Sequence, residues 1–103
     1  MQIQVQTLKG SLSDAHKTKI AEKVAKLERF IERVTGVDVM VDIEKPDAVR
    51  VEVVVYTELK KDFRADYSSG DLFGCLDQAI DKVEQQMRKF KEKLTEHHPK
   101  DRS

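Results

Sequence analysis

The residues best placed to do chemistry in this chain are basic, and they recur at helical spacing. In the stretch DLFGCLDQAIDKVEQQMRKFKEKL, Asp71 to Leu94, the positions Lys82, Gln86, Lys89 and Lys93 advance by four, three and four. At about 100° per residue this spacing places them in one stripe along a helix. An earlier segment carries a second set, Lys19, Lys23, Lys26 and Arg33, on one flank of its own apolar seam. Rows of ammonium and guanidinium groups hold phosphates as ion pairs and do little reading of bases. A single row of this kind is also what an ordinary solvated helix surface looks like. Two rows, each beside an apolar face, point more firmly to a polyanion.

Other chemistry is not signalled. The few glycines are isolated at element ends and form no phosphate-cradling loop. His16 falls in the first turn of a helix and His97-His98 in the tail; none sits at ligand spacing from Cys75, so no metal or other cofactor is expected. Cys75 has no evident base to activate it and reads as a small, semi-buried residue. The carboxylates fall on outward positions, where they solubilise more readily than they pair for acid/base work. The chain contains no asparagine, which removes an acylphosphatase-like site on a similar sandwich. An enzyme is not expected.

The elements that must carry the stripes follow from periodicity. In the last segment Leu72, Phe73, Leu76, Ala79, Ile80, Val83, Met87, Phe90 and Leu94 mark one face of a helix of roughly 36 Å. Asp71, Asp77, Asp81 and Glu84 lie in the first half and Arg88, Lys89, Lys91 and Lys93 in the second, which suits the helix dipole. An N-cap is expected at Ser69 or Asp71. A first helix is predicted from Asp14 to Val34, capped by Ser13, with the seam Ile20, Val24, Leu27, Ile31 and Val34, and ended by Gly36 in a left-handed turn. Strict alternation marks four strands. Ile3, Val5 and Thr7 face inward in the first, Val37, Val39, Val41 and Ile43 in the second. Val49, Val51, Val53 and Val55 do so in the third, and Phe63, Ala65 and Tyr67 in the fourth. The turns fall at Lys45-Pro46-Asp47 and Leu59-Lys60-Lys61. The order β-α-β-β-β-α, with one apolar face per strand, predicts an α+β two-layer sandwich: a four-stranded mixed sheet with both helices packed on one face. Residues 1–94 form the domain and 95–103, without pattern, are expected to be a disordered tail.

At 103 residues, 39% hydrophobic and 37% charged, the chain suits one soluble domain with a modest core. It lacks a membrane-length apolar run and an export signal, and its single cysteine excludes an internal disulfide, so the cytoplasm is the expected compartment. Formal net charge is zero, which counts against a nucleic-acid binder unless the charge is segregated. It is. The outward sheet positions carry Asp38, Asp42, Glu44, Glu52, Glu58, Asp62 and Asp66 against Arg50 and Arg64, whereas the helices carry the basic stripes. An acidic sheet with Tyr56 as its exposed ring is a poor RNA platform. The helical layer is the better one.

Both helices also resemble a known family. The Asp71, Leu72, Phe73, Leu76 and Asp77 start, the Asp81-Lys82-Val83-Glu84 centre and the Arg88-Lys89 to Lys93 basic end resemble the last helix of the ribosome hibernation-promoting factors. That family is also called ribosome-associated inhibitor A, protein Y or sigma-factor modulation protein. EKVAKLERFIERV resembles its other signature through Lys23, Lys26, Leu27, Glu28 and Arg29. The similarity spans residues 2–94 and implies the β-α-β-β-β-α fold related to the double-stranded-RNA-binding domain (dsRBD-like). It further implies a non-enzymatic factor that binds the small (30S) ribosomal subunit in the mRNA and tRNA channel. There it would contact 16S rRNA near the A and P sites and block translation in stressed or stationary cells. Carried over by position, Lys23, Lys26, Lys82, Lys89 and Lys93 are the main expected contacts, with Arg29, Arg33, Gln86 and Arg88 secondary; Lys19 joins them from the charge pattern. Neither DNA nor membrane is an expected partner, and a monomer acting on single ribosomes is. The chain departs from the family pattern at Phe73, where a tyrosine is usual, and at Gly74-Cys75, where two alanines are. A different reading is a protein-docking module, for example on a transcription factor, using Met40, Val54 and Tyr56.

Overall fold

The computed structural model describes residues 2–29, 34–59 and 61–101, with side chains as far as Lys93. The order is β1 (Gln2–Lys9), α1 (Asp14–Ala25), a 3-10 turn (Lys26–Arg29), β2 (Val34–Lys45), β3 (Ala48–Thr57), β4 (Phe63–Ser69) and α2 (Leu72–Asp101). The sheet is β1-β2-β3-β4 in spatial as in chain order. β1 runs parallel to β2, because a helix intervenes between them, and the two short connections make β2–β3 and β3–β4 antiparallel.

One core holds the layers together. Val37, Val39 and Val41 of β2, Val49, Val51, Val53 and Val55 of β3, and Phe63 and Ala65 of β4 form the covered face of the sheet. Ile20, Val24 and Leu27 come down on it from α1 and the 3-10 turn; Cys75, Leu76, Ala79, Ile80, Val83 and Met87 come from α2. Both helices therefore lie on the same side, in the two-layer sandwich expected from the strand alternation. β1, at an edge, is only half covered: Ile3, Val5 and Thr7 are intermediate in exposure.

The helix starts are fixed by short side chains. Ser13 Oγ accepts from the His16 N–H at 3.1 Å, and Asp71 Oδ2 accepts from the Gly74 N–H at 3.0 Å. Asp71 is thus the cap of α2, and Ser69 Oγ supports it by accepting the Asp71 N–H at 3.2 Å. Gly10 ends β1 at a φ of 79°, and a Cβ there would stand 2.8 Å from the Ile43 Cβ, so both backbone and space call for glycine.

The structure corrects several expectations. α1 stops at Ala25 and tightens into the 3-10 turn, so Val34 opens β2 instead of closing a helix. Gly36 is not a helix cap: it sits in β2, in register with Gln2 on one side and Tyr56 on the other. A valine three residues after Ile31 fits a helix seam and a strand equally well, and its pairing with Thr57 of β3 decides for the strand. Ile31 itself lies outside the described residues. Val54, expected outward with its neighbours, is 1% exposed, because a central-strand position flanked by Asp38 and Arg64 is covered from both sides. Tyr67, expected in the core, is 36% exposed at the end of the edge strand. Cys75 is fully buried, not semi-buried: its Sγ lies 3.1 Å from Ser69 Oγ and 3.4 Å from the Val49 carbonyl. α2 runs on to Asp101, past Leu94, the last residue of its apolar pattern.

Ile80, 2% exposed and central to the α2 seam, tests the core. Ile80→Ala should lower the unfolding free energy by about 2–5 kcal/mol in urea titrations without changing the helix content of the folded state.

Candidate nucleic-acid interface

Laying α2 across β3 and β4 gives it two different flanks. Toward α1, Lys23 Nζ reaches Asp77 Oδ1 at 3.0 Å and Lys26 Nζ reaches Glu84 Oε1 at 3.4 Å. Lys19 Nζ stands 4.6 Å from the centroid of the Phe73 ring, which His16 also meets edge-on at 5.6 Å. The basic stripe of α1 thus faces the acids of the first half of α2. The Lys23–Asp77 pair is largely exposed and worth about 0–1 kcal/mol, so its lysine can exchange the carboxylate for a phosphate at little cost, whereas Glu84, 15% exposed, holds Lys26 in a more sheltered pair.

Toward β4 the contacts are of another kind. The Gln86 amide donates to the Arg64 carbonyl at 2.9 Å and accepts the Arg64 N–H at 3.3 Å. It acts as a short substitute strand on the sheet's outer edge, where unpaired backbone groups would otherwise invite aggregation. Lys82 Nζ donates to the Asp66 carbonyl at 3.2 Å and lies 5.2 Å from the Tyr67 ring centroid. One turn further, Lys89, Phe90 and Lys93 join Lys61, Phe63 and Gln86 around a groove of about 310 Å³.

The residues singled out from sequence are therefore not one continuous patch. Lys19, Lys23, Lys26 and Arg29 stand on α1 and the following turn; Lys82, Gln86, Lys89 and Lys93 stand on the far flank of α2. Between them runs the outer strip of α2, where Gln85 donates to Asp81 at 3.0 Å. Arg88 is exposed on α2, and Arg33 lies outside the described residues. Sequence reasoning missed Lys61, whose Nζ stands 5.7 Å from the Phe63 ring. Its position beside the first ring of β4 was the available signal, but only folding brings it to the end of the Lys82 stripe.

The open face of the sheet is tied up internally. Arg50 pairs with Asp66 at 3.1 Å and approaches Glu52 at 4.0 Å, while Arg64 meets the same Glu52 at 3.8 Å. At its rim Lys9 meets Glu44 at 2.8 Å, and this hydrogen bond holds the ammonium above its usual pKa. Tyr56 donates its hydroxyl to Asp38 at 3.1 Å, and that bond, reinforced by burial, raises the phenol above its ordinary value. Among the described residues the face keeps an acidic excess, and its Tyr56 ring is tethered to Asp38.

Two outcomes follow. Gln86→Leu should cost about 1–2 kcal/mol in urea unfolding, with amide exchange at Arg64 accelerated, because it removes two hydrogen bonds at one edge. The Tyr56–Asp38 bond contributes its stability fully below the unfolded phenol pKa and loses it as pH rises through the raised folded value. Ultraviolet titration should find Tyr56 ionising above the ordinary phenol range, lowered in Asp38→Asn and absent in Tyr56→Phe.

Comparison with known proteins places this architecture. The family model described as sigma 54 modulation protein / S30EA ribosomal protein matches residues 3–95. The ribosome hibernation promoting factor of Azotobacter vinelandii is 28% identical over 96 residues, covering 93% of this chain and 88% of that protein. The protein of the same name from Salmonella typhimurium is 26% identical over 97 residues, covering 94% of this chain and all of its own. Among solved structures, the Thermus thermophilus Protein Y N-terminal domain superposes with a TM-score of 0.77 at 23% identity, over 87% of this chain and 99% of that one. A ribosomal subunit interface protein from Coxiella burnetii gives 0.77 at 20% identity, over 88% and 98%. The structural likeness shows the fold, and the match over residues 3–95 shows the family: the chain belongs to the sigma 54 modulation protein / S30EA ribosomal protein family.

Proposed function

We propose that this protein is a non-enzymatic ribosome-binding factor of hibernating cells. It binds the small (30S) subunit as a monomer in the cytoplasm, occupies the mRNA and tRNA channel at the A and P sites, and so inhibits translation. The observation that carries the reading is the basic helical layer on a chain of this family, whose relatives are named for ribosome hibernation. In this reading Lys19, Lys23, Lys26 and Arg29 on one side, and Lys82, Arg88, Lys89 and Lys93 on the other, meet phosphates and sugars of 16S rRNA, and Arg33 joins them from the sequence pattern. Gln86, whose amide is engaged with β4, acts by holding α2 in place. The groups are strong cations, so their work is positional and electrostatic. A protein-docking role on the open sheet face is the weaker reading: Val54 is covered and Tyr56 is held by Asp38.

Co-sedimentation with purified small subunits over a salt series tests this. Wild-type binding should fall with a slope near 0.7–0.9 log units per phosphate contacted, and Lys23→Glu/Lys82→Glu/Lys89→Glu should abolish it. Binding indifferent to both salt and substitution would move the contact to the sheet and to a protein partner.

A further inference from the structure

The groove between β4 and the second half of α2 gathers several lysines around paired rings. Its lining residues are Lys61, Phe63, Gln86, Lys89, Phe90 and Lys93, with no carboxylate among them. Elsewhere Lys9, Lys23 and Lys26 each face an acid of this same chain. Here three ammonium groups surround two rings instead. Phe63, 1% exposed, forms the floor, and Phe90 meets it edge to face with centroids 5.5 Å apart at 71°. Phe90 is only partly buried, so ring surface remains toward the groove. The Gln86 amide is fixed on the Arg64 backbone and closes one end. The volume of about 310 Å³ is at the lower limit of small-ligand sites and accommodates one nucleotide, not a duplex.

We propose that this groove is a subsite for one unpaired RNA nucleotide, its base laid on Phe90 and its flanking phosphates held by Lys61, Lys89 and Lys93. The assignment rests on the ribosomal reading above and adds to it a place where a single base is gripped. Stacking on an aromatic side chain accepts any base, because every base has a π-face, and neighbouring cations follow the backbone. An acidic peptide would satisfy the lysines but leave the Phe90 surface uncovered. RNA uses both.

The test is a ¹H–¹⁵N NMR titration of the full chain with single-stranded hexauridylate, beside polyglutamate, together with small-subunit co-sedimentation. Hexauridylate should shift the amides of Lys61, Gln86, Lys89, Phe90 and Lys93. Phe90→Leu, which keeps the apolar volume, should weaken that binding by about 10-fold. Lys23→Gln/Lys26→Gln should leave the groove shifts in place. Equal hexauridylate affinity in Phe90→Leu, shifts absent from the groove, or equal occupation by polyglutamate would each overturn the assignment. Co-sedimentation separates the two claims. Subunit binding unchanged by Phe90→Leu would remove the groove and keep the ribosomal reading. Hexauridylate in the groove of a protein that ignores subunits would keep the nucleotide site and remove the ribosomal reading.

Discussion

Covering the valine face of β2 and β3 is the constraint on which the rest of the molecule depends. Val37, Val39, Val41, Val51, Val53 and Val55 are all fully buried, and a single sheet layer cannot shield its own face from water. α2 supplies the cover through Leu76, Ala79, Ile80, Val83 and Met87. Once that seam is laid down, helix geometry leaves no freedom for the other side chains. Lys82 and Gln86 must fall along β4, and Asp77 and Glu84 must fall toward α1. Both flanks of the proposed interface are thus consequences of hydrophobic packing.

The same arrangement decides how a balanced set of charges is distributed. Acids of α2 face lysines of α1, and arginines of the open sheet face are held among carboxylates. These pairs are mostly solvent-exposed and contribute little to stability. Their consequence is distributional: they leave the basic surface graded, with ion-paired lysines near α1 and carboxylate-free ones lining the groove beside β4. A polyanion on this layer would displace weak internal partners on one flank and find none among the groove residues on the other.

Much of the fold was legible because its signals are local. Alternating valines read as strands without any knowledge of their partners, and the α2 seam read as a helix from its spacing alone. The failures were also physical. Val34 and Gly36 were ambiguous because apolar spacing at the end of a helix resembles the start of a strand, and pairing with Gln2, Tyr56 and Thr57 settles it. Val54 and Tyr67 followed the alternation but not the burial, which depends on position in the sheet: one is central, the other at the edge. In the interface, residue types and stripes were visible in the sequence, whereas the role of Lys61 and the engagement of Gln86 were not.

The sequence by itself determined the element order, the single covered face of the sheet, the separation of acid from base and the family to which the chain belongs. These depend on side-chain periodicity and residue type, which are written within a few turns or strand repeats. Only the tertiary structure decided which charges meet. The Lys23–Asp77 pair joins residues 54 apart in the chain, and the Gln86–Arg64 clamp joins residues 22 apart. Such contacts have no local signature, because they exist only after the buried apolar faces have fixed the helices against the sheet.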